Sequence, residues 1–196
     1  MKRLVIVILA LTALTAGCSK DIIQTMGIGD HQGVIQDYKD HEPIPAGFAE
    51  LMIVSSLKTP EPGYFAFGSK IRGTPDYLLL ISIDGHKIFV HGDLKTENSA
   101  PKGLNDAEAG EGIRYLFTKD LLVKAGRHKV IVSLPEDNVA SEKEVFIQEG
   151  TGNSLRIDPI YGQSDQEGIP GQGLFSSSSF MNGITGFWFF LNDREI

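Results

Sequence analysis

The chain has 196 residues, a formal net charge of −7 and a single cysteine. Those values exclude a disulfide-stapled miniprotein, and an acidic body lacks the clustered Lys and Arg that neutralise nucleic-acid phosphates. The length suits one domain with a substantial hydrophobic core, plus a leader and a tether.

Met1-Lys2-Arg3 opens the chain with positive charge, and Leu4 to Ala16 follows as an uncharged, mostly apolar run. As a helix this run would rise about 20 Å, short of the roughly 30 Å hydrocarbon core, so it has the dimensions of a signal-peptide core and not of a span. The run ends in Leu14-Thr15-Ala16-Gly17-Cys18, where small residues lead into the lone cysteine. This resembles the lipobox of bacterial lipoprotein precursors. The resemblance implies removal of residues 1–17, attachment of diacylglycerol to Cys18 through a thioether, and usually acylation of the new amino group. A free thiol would have no partner in an oxidising compartment, whereas two or three acyl chains anchor a protein stably. By resemblance to the Gram-negative sorting pattern, Ser19 implies an outer membrane address facing the periplasm. Without Lys2 and Arg3 the chain keeps 25 acidic against 16 basic residues, a net of −9. Such a body is not drawn to anionic headgroups as a whole, so the anchor must supply the membrane binding.

Residues 18–47 are polar, mixed in charge and broken by Gly and Pro, and are read as the lipidated N-terminus and a flexible tether, with one short helical turn around Val34 to Tyr38. From Phe48 to the C-terminus the texture changes to short runs of branched and aromatic residues between turn signals. That pattern predicts an all-β domain, an antiparallel β-sandwich of immunoglobulin or prealbumin type over residues 48–196. FAELMIVSSL is the first strand, closed by Pro60-Glu61-Pro62-Gly63, and YFAFGSKI (64–71) is a candidate second. DYLLLISI meets HKIFVH across Asp84-Gly85, a strong signal for a type I′ hairpin. Residues 92–112 are polar and Gly-rich and are expected to form a long loop. GIRYLFT, DLLVKAG, HKVIVSL, EVFIQEG and SLRIDPIY follow as strands; in HKVIVSL, Val130 and Val132 face one way, Ile131 and Ser133 the other. Residues 162–179, ending in Ser176 to Ser179, are a long Gly/Ser loop, and 184–191 is a terminal strand.

Ile83-Asp84-Gly85, followed downstream by Gly126, His128 and Val130, resembles PEGA-type domains and related small β-sandwich domains of bacterial lipoproteins. The resemblance spans roughly residues 49–160 and implies a non-catalytic role.

The remaining candidates for chemistry are weak. His86 and His91 are five apart on one strand and point to opposite faces; His31 and His41 lie in the tether, and His128 follows a Gly-Arg turn. No zinc motif occurs. The acidic stretch Asn105 to Glu111 has alanines where a calcium loop needs oxygen ligands, so no metal or cofactor is expected. No nucleophile elbow or phosphate loop is present, and Ser176 to Ser179 lack a placed base, so the chain is read as not an enzyme. In ITGFWFFLN, Trp188 and Phe190 point one way and Phe187 and Phe189 the other. Apolar character on both sides predicts a strand covered on both faces. The competing expectation is that one face stays open, as a docking patch for an envelope protein or a stacking platform for a cell-wall glycan. The sequence thus points to a lipid-anchored envelope protein serving as a non-catalytic binding or scaffolding module, with peptidoglycan or carbohydrate binding as the alternative.

Overall fold

The computed structural model describes residues 33–38, 43–63, 71–103, 105–163 and 178–196. The leader, Cys18, Ser19, the chain before Gly33, all of YFAFGSKI except Ile71, and Ser176 and Ser177 lie outside the described residues.

The domain is all-β. Its strands are β1 (Ile35–Asp37), β2 (Phe48–Thr59), β3 (Leu78–Ile83), β4 (His86–Ser99), β5 (Gly110–Lys124), β6 (Gly126–Leu134), β7 (Val139–Ile147), β8 (Gly152–Tyr161), β9 (Ile184–Leu191) and β10 (Arg194–Glu195). Short 3-10 turns occupy Pro135–Asp137 and Phe180–Asn182. Period-two alternation decides which side chains form the core: Ala49, Leu51, Ile53 and Leu57 of β2 point inward, as do Leu79, Ile81 and Ile83 of β3 and Val130, Val132 and Leu134 of β6. Leu80 and Ile131 pack together on the opposite face as a small second cluster.

The strands form one sheet in the order β10-β9-β8-β2-β5-β4-β3-β6-β7, with β1 added against β5. Strand β4 turns the corner: its first half, to His91, pairs with β3, and from Gly92 it pairs with β5. Gly92 sits where the bend presses the backbone onto Phe117, whose ring carbon lies 2.9 Å from where a Cβ would stand. The sheet curls into a half-barrel, and its two wings meet where the Phe187 amide on β9 donates to Ser141 Oγ on β7 at 3.0 Å.

This architecture departs from an antiparallel sandwich in two respects. The sheet is continuous, and β2 and β8 run parallel, Ile53 opposite Leu155. The parallel pair arises because β7 ends beside the start of β2, so the chain crosses there and β8 returns in the direction of β2. Three hydrogen bonds fix that crossing: Gly150 N to Phe48 O (2.9 Å), Glu50 N to Thr151 O (3.0 Å) and Gly47 N to Glu149 Oε1 (2.6 Å).

Three local expectations are corrected. Residues 92–112 are not a long loop: β4 continues to Ser99 and β5 begins at Gly110, leaving only 100–109 as the connection. Between Gly92 and Ser99 only Leu94 is apolar, so the sequence of this half of β4 does not show the face that packs against the core. GIRYLFT and DLLVK are a single strand, because the polar Thr118-Lys119-Asp120 remains paired with β2. Val34 to Tyr38 is not a helical turn; Ile35–Asp37 form β1, opposite Leu121 to Val123. That stretch of β5 would be an open edge once β4 leaves it at Gly92, and β1 covers it.

The Asp84-Gly85 turn has positive φ at both positions, 50° and 91°. Asp84 also ties β6 to the hairpin, accepting from Lys129 N at 2.8 Å and lying 2.7 Å from His128 Nδ1. His128 Nε2 faces the Lys124 carbonyl. The residues that suggested a hairpin and a later turn are therefore one contact. A second hairpin, Asn192-Asp193 with φ of 51° and 62°, adds β10 beyond the terminal strand.

Candidate functional site

The strand directions sort the connections by length. The short turns 84–85, 148–151 and 192–193, together with Ala125, lie at one end of the domain. Val34, where the described N-terminal chain enters, lies at the same end and accepts from Lys124 N at 3.0 Å. The connections 60–77, 100–109 and 162–183 all join strand ends at the opposite end, as does the 3-10 turn after β6. Long connections gathered at one end of a rigid sheet are where β-folds commonly carry binding surfaces.

Buried polar groups pin that end. Lys58, the penultimate residue of β2, is 0% exposed. Its Nζ donates to Ser99 Oγ (3.0 Å), Glu108 O (2.9 Å) and Gly110 O (2.5 Å), and stands 4.9 Å from the centre of the Phe180 ring. Burial pushes the Lys58 ammonium down from its ordinary value, against the pull of Glu97. Arg114 bridges Glu97 (2.8 Å) and Glu108 (2.7 Å), and these hydrogen bonds hold its charge against the opposing effect of burial. Tyr161 donates to Glu108 Oε1 at 2.7 Å and accepts from Lys58 N; burial, then Glu108, push its hydroxyl up. Phe180 N donates to Ala107 O at 2.8 Å, so the connection 162–183 is fastened to 100–109. A separate cluster holds residues 72–77. Tyr77 donates to Asp137, which also binds Arg72 at 2.7 Å, and Tyr115 donates to Thr74 O at 2.8 Å. Burial, and after it the Asp137 charge, raise the Tyr77 hydroxyl.

Glu97 gives this network an acid limit. Hydrogen bonds from Arg114 and then Ser99 hold its carboxyl at about 2. A carboxyl depressed on folding contributes stability that is complete above its unfolded value and is lost as pH falls through the folded one. Allowing for its partial exposure, the contribution is about 2 kcal/mol. Glu97→Gln should therefore flatten the fall of Tm between about pH 4.5 and 2; an unchanged acid limb would remove Glu97 from the lock.

The aromatic strand is divided. Phe187 and Phe189 are buried in the core, while Trp188 is 51% exposed. The expected cover on both faces is absent for Trp188, because β9 lies near the sheet edge with only its inner side over the barrel. Phe190 is half-buried beneath the Arg156 guanidinium, 4.0 Å from its ring centre. Trp188 stands opposite Asp158, which is ion-paired to Arg156. Trp188, Phe190, Arg156 and Asp158 thus form a flat mixed strip on the outer face of β8 and β9.

Of the other candidates, His86 and His91 pair with Ile83 and Leu78, and His31 and His41 lie outside the described residues. The described residues contain no group of His, Cys, Asp and Glu arranged to hold a metal, and no helix long and apolar enough to cross a membrane. In the acidic stretch, Asp106 accepts from the amides of Lys102 (2.9 Å) and Glu108 (3.0 Å), which lower its carboxyl; the acids shape the connection from within. The Lys58 network leaves no mark in the sequence. A lone lysine near a strand end reads as solvated, and its partners lie about forty to a hundred positions away. No protein family, curated protein or solved structure matches this chain.

Proposed function

We propose that this chain is a lipoprotein of the bacterial cell envelope, held by an acylated Cys18 at the outer membrane facing the periplasm, and that it works as a non-catalytic binding or scaffolding module. The observation that carries this reading is the polarity of the domain. The connections pinned by Lys58, Arg114 and Asp137 lie at the end opposite to the one from which the chain leads back towards Cys18. The curled sheet serves as the scaffold that a β-sandwich would supply, and the pinned residues 72–77, 107–110 and 180 favour a preformed surface for a protein partner. The ionisable groups there are engaged in holding backbone, which favours shape over reaction chemistry.

In-cell photo-crosslinking tests it. Probes replacing the exposed Lys102 and Glu136 at the long-connection end should trap a discrete protein adduct, and a probe at Asp193 should not. Equal trapping from both ends, or none, would overturn the assignment of the working surface. The alternative, a peptidoglycan or carbohydrate module, is favoured by half-exposed Trp188 beside Arg156 and Asp158. Retention on purified cell wall that disappears in Trp188→Ala would establish it in place of the protein partner.

A further inference from the structure

Phe146 is the most exposed large hydrophobic residue among the described residues, at 61%. It lies near the end of β7, opposite Arg127 on β6, at the short-turn end. Arg127, and Lys124 at the end of β5, are exposed and form no ion pair with any described residue. Of the nearby acids, Glu142 pairs with Lys129 at 2.7 Å and Glu149 accepts from Gly47 N, while Glu144, two residues before Phe146, forms no ion pair with any described residue. A single exposed ring with an unpaired Arg127 opposite it, an unpaired Lys124 at the same end of the domain and no apolar neighbour in its row is too small for a stable protein interface. It does match the boundary of a bilayer, where aromatic rings sit at headgroup depth and Lys and Arg meet lipid phosphates.

The path of the chain points the same way. Residues 35–37 belong to the sheet, so the segment free to act as a tether ends by Gly33 and not at residue 47. A flexible chain from Cys18 to Gly33 would average about 20 Å, and a fully stretched one roughly 50 Å. Such a short link gives an effective concentration on the order of millimolar, enough for a contact that would be negligible for a free protein.

We propose that the short-turn end rests on the membrane, with Phe146 in the headgroup region and Arg127 and Lys124 on anionic phosphates, so that the long connections face away from the bilayer. This rests on Cys18 being the lipid attachment point. The test uses the full-length acylated protein in phosphatidylethanolamine/phosphatidylglycerol vesicles containing brominated lipid. The native Trp188, the only tryptophan in the chain, is the internal control, being partway up the other wing of the sheet. The Trp188→Phe/Phe146→Trp variant should be quenched at least threefold more than the wild type. Adding Lys124→Glu and Arg127→Glu should return most of that emission. No quenching at position 146, or equal quenching at 146 and 188, would overturn the docking. Concentration-dependent crosslinking of two copies through residue 146 would overturn it in favour of a dimer. The anchor itself is read separately: Cys18→Ser should leave the membrane fraction. If it does so while position 146 of the acylated protein stays unquenched, the docking fails and the anchor stands; if Cys18→Ser stays on the membrane, the anchor fails.

Discussion

Lys58→Ala should lower the stability of the domain by about 3–5 kcal/mol, because three acceptors lose one buried charged donor, at roughly 1.5–3 kcal/mol for a hydrogen bond to a charged group and less than additively. For a protein of this size that corresponds to a fall in Tm on the order of 10 °C. Lys58 is wholly buried, and its ammonium supplies the donors for Ser99 Oγ and for the carbonyls of Glu108 and Gly110. Alanine would leave those acceptors without a donor and open a hole beneath the Phe180 ring. Lys58→Met separates the two losses, since its stem still packs against Phe180 while the hydrogen bonds are gone. Thermal melts of both variants, with amide exchange through residues 107–110, would measure the effect. A Lys58→Ala protein within about 1 kcal/mol of the wild type would show that the network is not what holds this end.

Gly112→Ala should cost about 3 kcal/mol, at the upper end for overpacking by one methyl. The added Cβ would lie 2.6 Å from the Thr59 carbonyl oxygen, 2.9 Å from the Phe180 ring and 3.1 Å from Lys58 Cε. The ring and the lysine can shift a little. The carbonyl belongs to the β2 backbone, paired with β5 through this stretch, so relief requires the strands to part. Gly103→Ala is the control, because nothing lies within 4 Å of its added carbon. Equal melting of the two variants would mean that the β2–β5 ladder yields at its end more easily than its packing indicates.

Neither of these two positions is legible in the sequence, because their partners are distant along the chain; local features are legible. The strand texture, the alternation that sends Val130 and Val132 inward, and the Asp84-Gly85 hairpin all depend on neighbours within a few residues. Positive φ at a turn and period two along a strand are local properties, so they survive reading without coordinates. The long ladder at the end of β4 and β5 was hidden for a related reason. Between Gly92 and Ser99 the side that packs on the core carries one apolar residue, Leu94, and otherwise polar groups, so a loop and this ladder share one composition.

What the sequence by itself determined is the all-β class, the core-facing positions of the principal strands and the motif at Cys18 that suggests an address. Only the tertiary structure decided that Lys58 is buried, that β1 closes the edge β4 abandons, that β8 runs beside β2 in parallel, and that Trp188 faces outward while Phe187 and Phe189 do not. Each of these depends on which distant strand lies alongside. Charge burial and strand-edge cover are set by partners far away in sequence, and neither composition nor periodicity carries that information.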